Sequence, residues 1–392
     1  MKNSYNQNLN TIVQSGTVAL ADKVRKLESE GKRIIPLHTG DPDFATPEPI
    51  VNAALEAMHA GFTHYSNSRG LDELRKSISE YLVTRGLINY NSANEILVTH
   101  GGIHAYFLAL SSIIERGDEV IIPDPTWMSH FNIIKLVGGV PVSVPTYAEN
   151  NFCMKMEDIE ARITSKTKAI VINSPSNPTG GIYDKTTLEK IIEIAVRHDL
   201  YIIADEVYDH IILDTTIKFT SLASFESIKD RLLVCNSFSK TFAMTGWRIG
   251  YLCGPAIILN QTLKISQCTI TNVVPFIQKA AYTALTNVSI TNYVDTMVNE
   301  YRYRCDKVME IYNASNSSIK LIKPQGAFYF FADIRGLNIG NSQQVAENLL
   351  DKIGLAAVPG SVFGTNGEGY LRLTIAASRE AVMDGFTRLF NL

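Results

Sequence analysis

Short apolar runs alternate with longer amphipathic segments through the middle of the chain. EILVTH (95–100) leads into IHAYFLALSSIIERG, and DEVIIPDP (118–125) leads into TWMSHFNIIKLVGG. KAIVINSP (168–175), YIIADEV (201–207) and RLLVCNS (231–237) are three more such runs, and KTTLEKIIEIAVRH reads as a helix between the first two of them. The runs are rich in β-branched residues and do not alternate with polar ones, which suits strands covered on both faces of a parallel sheet. Strand–helix alternation of this kind predicts an α/β architecture with right-handed crossovers.

The tail is patterned differently. Residues 290–312 read as one long helix, followed by strand-like GAFYFFADI and GYLRLTIA with a helix, SQQVAENLLDKIG, between them. At 392 residues the chain is too long for a single hydrophobic core. The pattern predicts a large domain over 51–288 with a mostly parallel sheet sandwiched by helices, and a smaller α+β domain over 289–392. The segment 1–50 is expected to join the smaller one.

Composition narrows the class of protein. The chain is 45% hydrophobic and 19% charged with a net charge of −3, which gives no electrostatic case for nucleic acid or an anionic membrane surface. The five cysteines are widely spaced and form no C-x-x-C pair, so free thiols in a reducing compartment are expected. The opening MKNSYNQNLNTIVQSG has no apolar signal-peptide core, and no apolar run is long enough to span a bilayer. A cytoplasmic protein is expected.

In open α/β sheets, ligands bind beyond the carboxyl ends of the strands, and each run here ends in residues with chemistry. Gly101-Gly102-Ile103 opens a helix, where backbone N–H groups and the helix N-terminus can face an anion. Ser237 and Arg248 add hydroxyl and guanidinium donors for the same anion, which points to a phosphate. Trp127 is a flat plate for a heteroaromatic ring. Asp205 ends a buried strand and is costly there without a positive partner. Asn177 follows one further strand end, and Tyr208 ends the same run as Asp205. Lys240, among small and apolar neighbours, loses its charge readily and becomes a nucleophile towards carbonyls. Pyridoxal phosphate meets all of these demands at once. Taken singly, each feature has a plainer reading: the glycine pair a turn, Asp205 a helix cap, Trp127 core, Lys240 a solvated lysine. The dinucleotide and nucleoside triphosphate signatures are absent. His100 and His104 straddle a strand–helix junction, not one helical face, so no metal is expected.

HTGDPDFATP, HYSNSRGLDELR, VTHGG, PDPTW, NSPSNPTGG, DEVY, SFSKTFAMTGWRIG, GAFY and LRLTIA occur in that order. With these nine motifs the chain resembles the class I/II aminotransferases of pyridoxal-phosphate fold type I, and in particular their bacterial aspartate aminotransferase-like branch. The resemblance implies a role for each matching residue. Lys240 holds the cofactor covalently and moves the proton, Asp205 pairs with the ring nitrogen, and Asn177 and Tyr208 bond the ring hydroxyl while Trp127 stacks on the ring. Gly101, Gly102, Ile103, Ser237, Ser239 and Arg248 hold the phosphate. Tyr65 reaches the phosphate of the neighbouring subunit, implying a homodimer with shared active sites. Arg372 clamps the substrate α-carboxylate, and Gly40 adds a backbone contact to it.

Departures from the family pattern concern the substrate. Ile103 stands where aspartate-using relatives often carry lysine, so simple aspartate is not the expected substrate. His38 and His104 replace other residues and are candidates to line the substrate pocket, although a satisfied structural histidine is the preferred reading of each, and Asp41 replaces Glu or Gln. The leading expectation is an aminotransferase joining an L-amino acid and a 2-oxo acid. The rival keeps the cofactor but eliminates or cyclises, as a β-lyase or a capreomycidine- or enduracididine-forming enzyme does. A third possibility, an aminotransferase-like ligand sensor of a regulator, lacks any accompanying DNA-binding segment.

Overall fold

A computed structural model describes residues 7–392; residues 1–6 of the polar opening lie outside it. Twelve strands appear among the described residues. In chain order they are β1 (Ile35–Pro36), β2 (Ile96–Thr99), β3 (Glu119–Asp124), β4 (Val140–Pro145), β5 (Thr167–Asn173) and β6 (Tyr201–Asp205). They continue as β7 (Leu232–Ser237), β8 (Gly250–Cys253), β9 (Tyr329–Asp333), β10 (Leu355–Ala356), β11 (Val358–Pro359) and β12 (Tyr370–Thr374).

The large sheet has seven strands in the order β2-β8-β7-β6-β5-β3-β4. Its pairs are parallel except those of β8, which runs antiparallel to both β2 and β7. Each apolar run became a strand, and β2, β6 and β7 are buried almost throughout, as helices on both faces require. The sequence pattern did not reveal β4 or β8. β4 (VPVSVP) is an edge strand with two prolines and a largely uncovered surface. β8 is only four residues long and comes after a loop and turn of mixed polarity.

The helices obey local rules. Lys185–Arg197 starts at Asp184, whose carboxylate accepts the Thr187 N–H at 2.7 Å, and it buries Leu188, Ile191, Ile192 and Ala195 on one face. Ser342–Ile353 begins with a reciprocal Asn341/Gln344 capping box and stops at Gly354, whose φ of 66° suits glycine. The long helix of the tail spans Val288–Ala314 and buries Val294, Met297, Val298, Tyr301, Cys305 and Val308.

The chain's two ends share structure. β1 pairs in parallel with β10, and β11-β12-β9 form an antiparallel sheet. This region is tied to the large sheet beyond the end of β3. There the Asp124 carboxylate accepts N–H groups from Thr365 and Asn366 at 3.2 and 3.1 Å, and Thr126 N–H donates to the Phe363 carbonyl. The five cysteines are free, and four of them are buried. No helix among the described residues is long and apolar enough to cross a membrane.

Candidate active site

A cavity of about 600 Å³ opens beyond the carboxyl ends of the central strands. Its walls come from three stretches of chain: helix Gly16–Ser29 with residues 38–41, the strand ends of the large sheet, and β9 with β12. Of the residues singled out in the sequence, His38, Gly40, Gly102, Ile103, Trp127, Asn177, Asp205, Tyr208, Ser237, Ser239, Lys240, Arg248 and Arg372 all line it. Gly101 sits one residue back, under Arg248. Tyr65 does not line it; its side chain is 89% exposed. His104 is also absent from the lining, in keeping with the preferred reading of it as a structural histidine and not with a pocket role. Its ring turns along the helix onto Phe107 and takes the His100 N–H.

Lys240 lies in the short helix Phe238–Thr241 that closes the end of β7. Its Nζ donates to the carbonyl of Gly40 and sits 5.9 Å from the Phe328 ring. Burial lowers its pKa to about 8; Asp41 opposes the shift, while Arg372 and Arg248 add to it. The amine is therefore far easier to deprotonate than an ordinary lysine.

Asp205, the last residue of β6, is buried and meets His130, whose Nε2 donates to Oδ2 at 2.8 Å. The Thr126 hydroxyl lies 3.1 Å from His130 Nδ1, so the imidazole is held at both nitrogens and aims the carboxylate. Asn173 Nδ2 donates to the Asp205 carbonyl, and Asn173 Oδ1 takes the Asn177 N–H, locking the neighbouring strand end. Tyr208 and Tyr329 share a hydrogen bond of 2.9 Å between their hydroxyls. Burial pushes the Tyr208 phenol well above its ordinary pKa, so it stays protonated. Trp127 and Val207 supply flat and apolar wall.

The anion end is built at the start of helix Gly101–Ile113, whose first turn has no side-chain cap. Gly101 has φ +79°, and a Cβ there would come 2.7 Å from Arg248 Nη2; a Cβ on Gly102 would come 2.8 Å from Val207 Cγ1. Only glycines allow this turn to sit so close to both neighbours. Ser237 caps helix Phe238–Thr241 by accepting the Ser239 N–H, and the two hydroxyls lie 2.8 Å apart. Arg248 is itself in the left-handed region at φ 54° and donates from Nη1 to the Thr245 carbonyl. Uncapped N–H groups, two hydroxyls and a guanidinium thus converge on one end of the cavity.

Arg372, in the middle of β12, is 3% exposed. Its Nη1 donates to Asn177 Oδ1 at 3.1 Å and its Nη2 to the His38 carbonyl at 2.7 Å, and its plane lies against the rings of Tyr329 and Phe363. Its Nε is buried without a partner, and among the described residues no carboxylate pairs with it. Burial lowers its pKa. A buried guanidinium in this state calls for an anion.

Reading the sequence missed His130, Asn173 and Tyr329. His130 lies three residues beyond Trp127, one helical turn along, and that spacing is the signal that points it back to the site. Pyridoxal phosphate fits this donor set. The anion end supplies what a phosphate needs, Asp205 an acceptor for a protonated ring nitrogen, and Lys240 an amine for the aldehyde.

Comparison with known proteins gives the same direction. A family model described as aminotransferase class I and II matches residues 32–388. The aspartate aminotransferase of Pyrococcus abyssi is 40% identical over 358 residues, covering 91% of each chain. The aromatic-amino-acid aminotransferase 2 of Thermococcus litoralis is 38% identical over 91% of this chain and 90% of that protein. The solved structure of Thermus thermophilus aspartate aminotransferase with maleate superposes with a TM-score of 0.93 at 35% identity, covering 99% of both chains.

Proposed function

The chain belongs to the class I and II aminotransferase family, which depends on pyridoxal phosphate, and we propose how its own residues transfer an amino group between an L-amino acid and a 2-oxo acid. The cofactor, when bound, supplies an electrophilic carbonyl carbon and an electron-accepting ring that let the α-proton of an amino acid leave. Lys240 is the anchoring amine. In its neutral form its Nζ takes the α-proton of the substrate and returns a proton on the other side of the exchange.

Asp205, aimed by His130, keeps the ring nitrogen protonated. Tyr208 donates its hydroxyl proton to the ring oxygen and is held in place by Tyr329. Asn177 serves two ends: its Oδ1 fixes Arg372, which leaves its Nδ2 for the same ring oxygen. The first-turn N–H groups of Gly102 and Ile103, with Ser237, Ser239 and Arg248, take the phosphate, and Gly101 allows their approach. Arg372 takes the substrate α-carboxylate with its free Nε and one Nη as a bidentate pair, and Gly40 borders that carboxylate. Trp127 covers the ring. The observation that carries this reading is the buried guanidinium of Arg372, its Nε unpartnered and no carboxylate paired with it among the described residues, in the same cavity as an amine of depressed pKa.

The working unit is a homodimer in which Tyr65 of each protomer contacts the phosphate held by the other. Ile103 makes the substrate side apolar where a lysine would favour aspartate, and the relatives named for aspartate and for aromatic amino acids leave both classes open to this pocket.

Single L-amino acids mixed with the pure holoenzyme test the reading. The visible absorbance of the cofactor is expected to convert, and to return on addition of a 2-oxo acid. Lys240→Ala is expected to slow the conversion by at least about 10³-fold. Ammonia released in the absence of any 2-oxo acid would instead establish elimination or cyclisation.

A further inference from the structure

The amino-transfer reading, on which this inference rests, leaves one wall of the cavity without a role. That wall comes from helix Gly16–Ser29 and the chain just before Gly40; its polar members are Thr17, Arg25, His38 and Thr39, of which Arg25 carries charge and His38 has a buried ring nitrogen with no partner. His38 is 5% exposed, and its Nδ1 is buried with no partner. Its backbone is fixed, because its carbonyl accepts from Arg372 at 2.7 Å, so the imidazole stands next to the proposed α-carboxylate clamp. A polar atom buried in this way is costly unless a ligand completes it.

Arg25 is the complement. Its one partner among the described residues is Asp22, a turn earlier on the same helix, and the two side chains are 69% and 63% exposed. Exposed pairs of this kind contribute little, so the guanidinium gives it up easily. Its charge reaches the imidazole: burial, then Arg372, then Arg25 hold the pKa of His38 down at about 4. The ring is therefore neutral at ordinary pH and acts as a hydrogen-bonding group, not a cation. The charge at this wall belongs to Arg25. The two acidic residues of the cavity are engaged elsewhere, Asp41 taking the Thr245 hydroxyl at 2.6 Å and Asp205 the His130 Nε2 at 2.8 Å.

We propose that Arg25 and His38 together bind the terminal carboxylate of a dicarboxylic substrate, the guanidinium by charge and the imidazole by a hydrogen bond, where Ile103 offers neither. Apolar surface from Val18, Ala21 and Ile103 lines the way between the two ends. One pocket can then take an apolar amino acid, leaving Arg25 on Asp22, and a 2-oxo diacid, drawing Arg25 inward. A ping-pong enzyme has to accommodate its two partners in this sequential manner.

The test uses inert acids, so it does not depend on turnover. Holoenzyme is titrated with glutarate and with pentanoate, which differ in the distal carboxylate, and binding is read from the visible absorbance of the cofactor. Arg25→Gln is expected to weaken glutarate about 10-fold and to leave pentanoate within about 2-fold, with Arg25→Lys in between. His38→Asn is expected to weaken glutarate selectively at an unchanged melting temperature. An unchanged glutarate affinity in Arg25→Gln, or parallel losses of both acids, overturns the proposal. Arg25 is exposed, so its variants fold whatever becomes of the buried His38. Failure of the amino-transfer reading would show separately, as wild-type holoenzyme whose absorbance no amino acid converts.

Discussion

Lys240 shows how a single residue is set by its surroundings. Burial lowers its pKa from 10.5 to about 8, so at pH 7 about a tenth of it is the neutral amine, against well under a thousandth for a free lysine. The neutral fraction rises as pH rises through the pKa. Capture of pyridoxal phosphate by the apoenzyme, monitored by stopped-flow absorbance, is therefore expected to speed up with pH around 8 and then level off. Asp41 holds the proton on, so Asp41→Asn should move the midpoint down; a midpoint near 10.5 would show that the amine is not desolvated. Lys240 and Asp205 were legible because each places a charge where the surrounding pattern is apolar, whereas Arg372 was singled out only by the family resemblance of LRLTIA. His130 and Tyr329 were not. Each sits in a segment whose apolar spacing reads as core, and each acquires its role only from a partner 75 or 121 residues away, Asp205 or Tyr208.

At the scale of elements, the site is a product of strand ends. Parallel strands deliver their carboxyl ends to one edge, so β2, β5, β6 and β7 bring the glycine turn, Asn177, Asp205 and Lys240 together with no further instruction. That much could be read from the apolar runs and the polar or glycine residues at their carboxyl ends. The antiparallel β8 could not be, because a four-residue run carries too little pattern to fix a direction. The turn after β2 is the element under most constraint. Gly101→Ala forces a side chain into φ +79° and drives its Cβ against Arg248. It is expected to cost about 1–3 kcal/mol of apoenzyme stability and to weaken the cofactor about 10-fold, read from thermal melts and cofactor titration. A variant that binds the cofactor as tightly as wild type would show that the turn does not govern the position of Arg248.

For the whole molecule, the catalytic geometry depends on parts far apart in the chain. Arg372 from β12 meets Asn177 after β5 and the carbonyl of His38 near the N-terminus, and β1 is held by β10. We propose that 1–50 and 289–392 act together as one domain against 51–288. In the proposed dimer, Tyr65 would extend the dependence to a second chain. Tyr65 is 89% exposed and lines no part of its own protomer's cavity, and the proposed dimer gives its hydroxyl a role. Tyr65→Phe is expected to weaken the cofactor about 10-fold by removing one hydrogen bond to a charged group. Mixed dimers then decide whose site the hydroxyl serves. When a Tyr65→Phe chain pairs with a Lys240→Ala chain, the one site that keeps Lys240 belongs to the first chain, and its only available tyrosine belongs to the second. Cofactor affinity at that site returns to the wild-type value if Tyr65 crosses the interface. It stays weak if each Tyr65 serves its own chain, and a spectroscopic titration of the mixture separates the two outcomes.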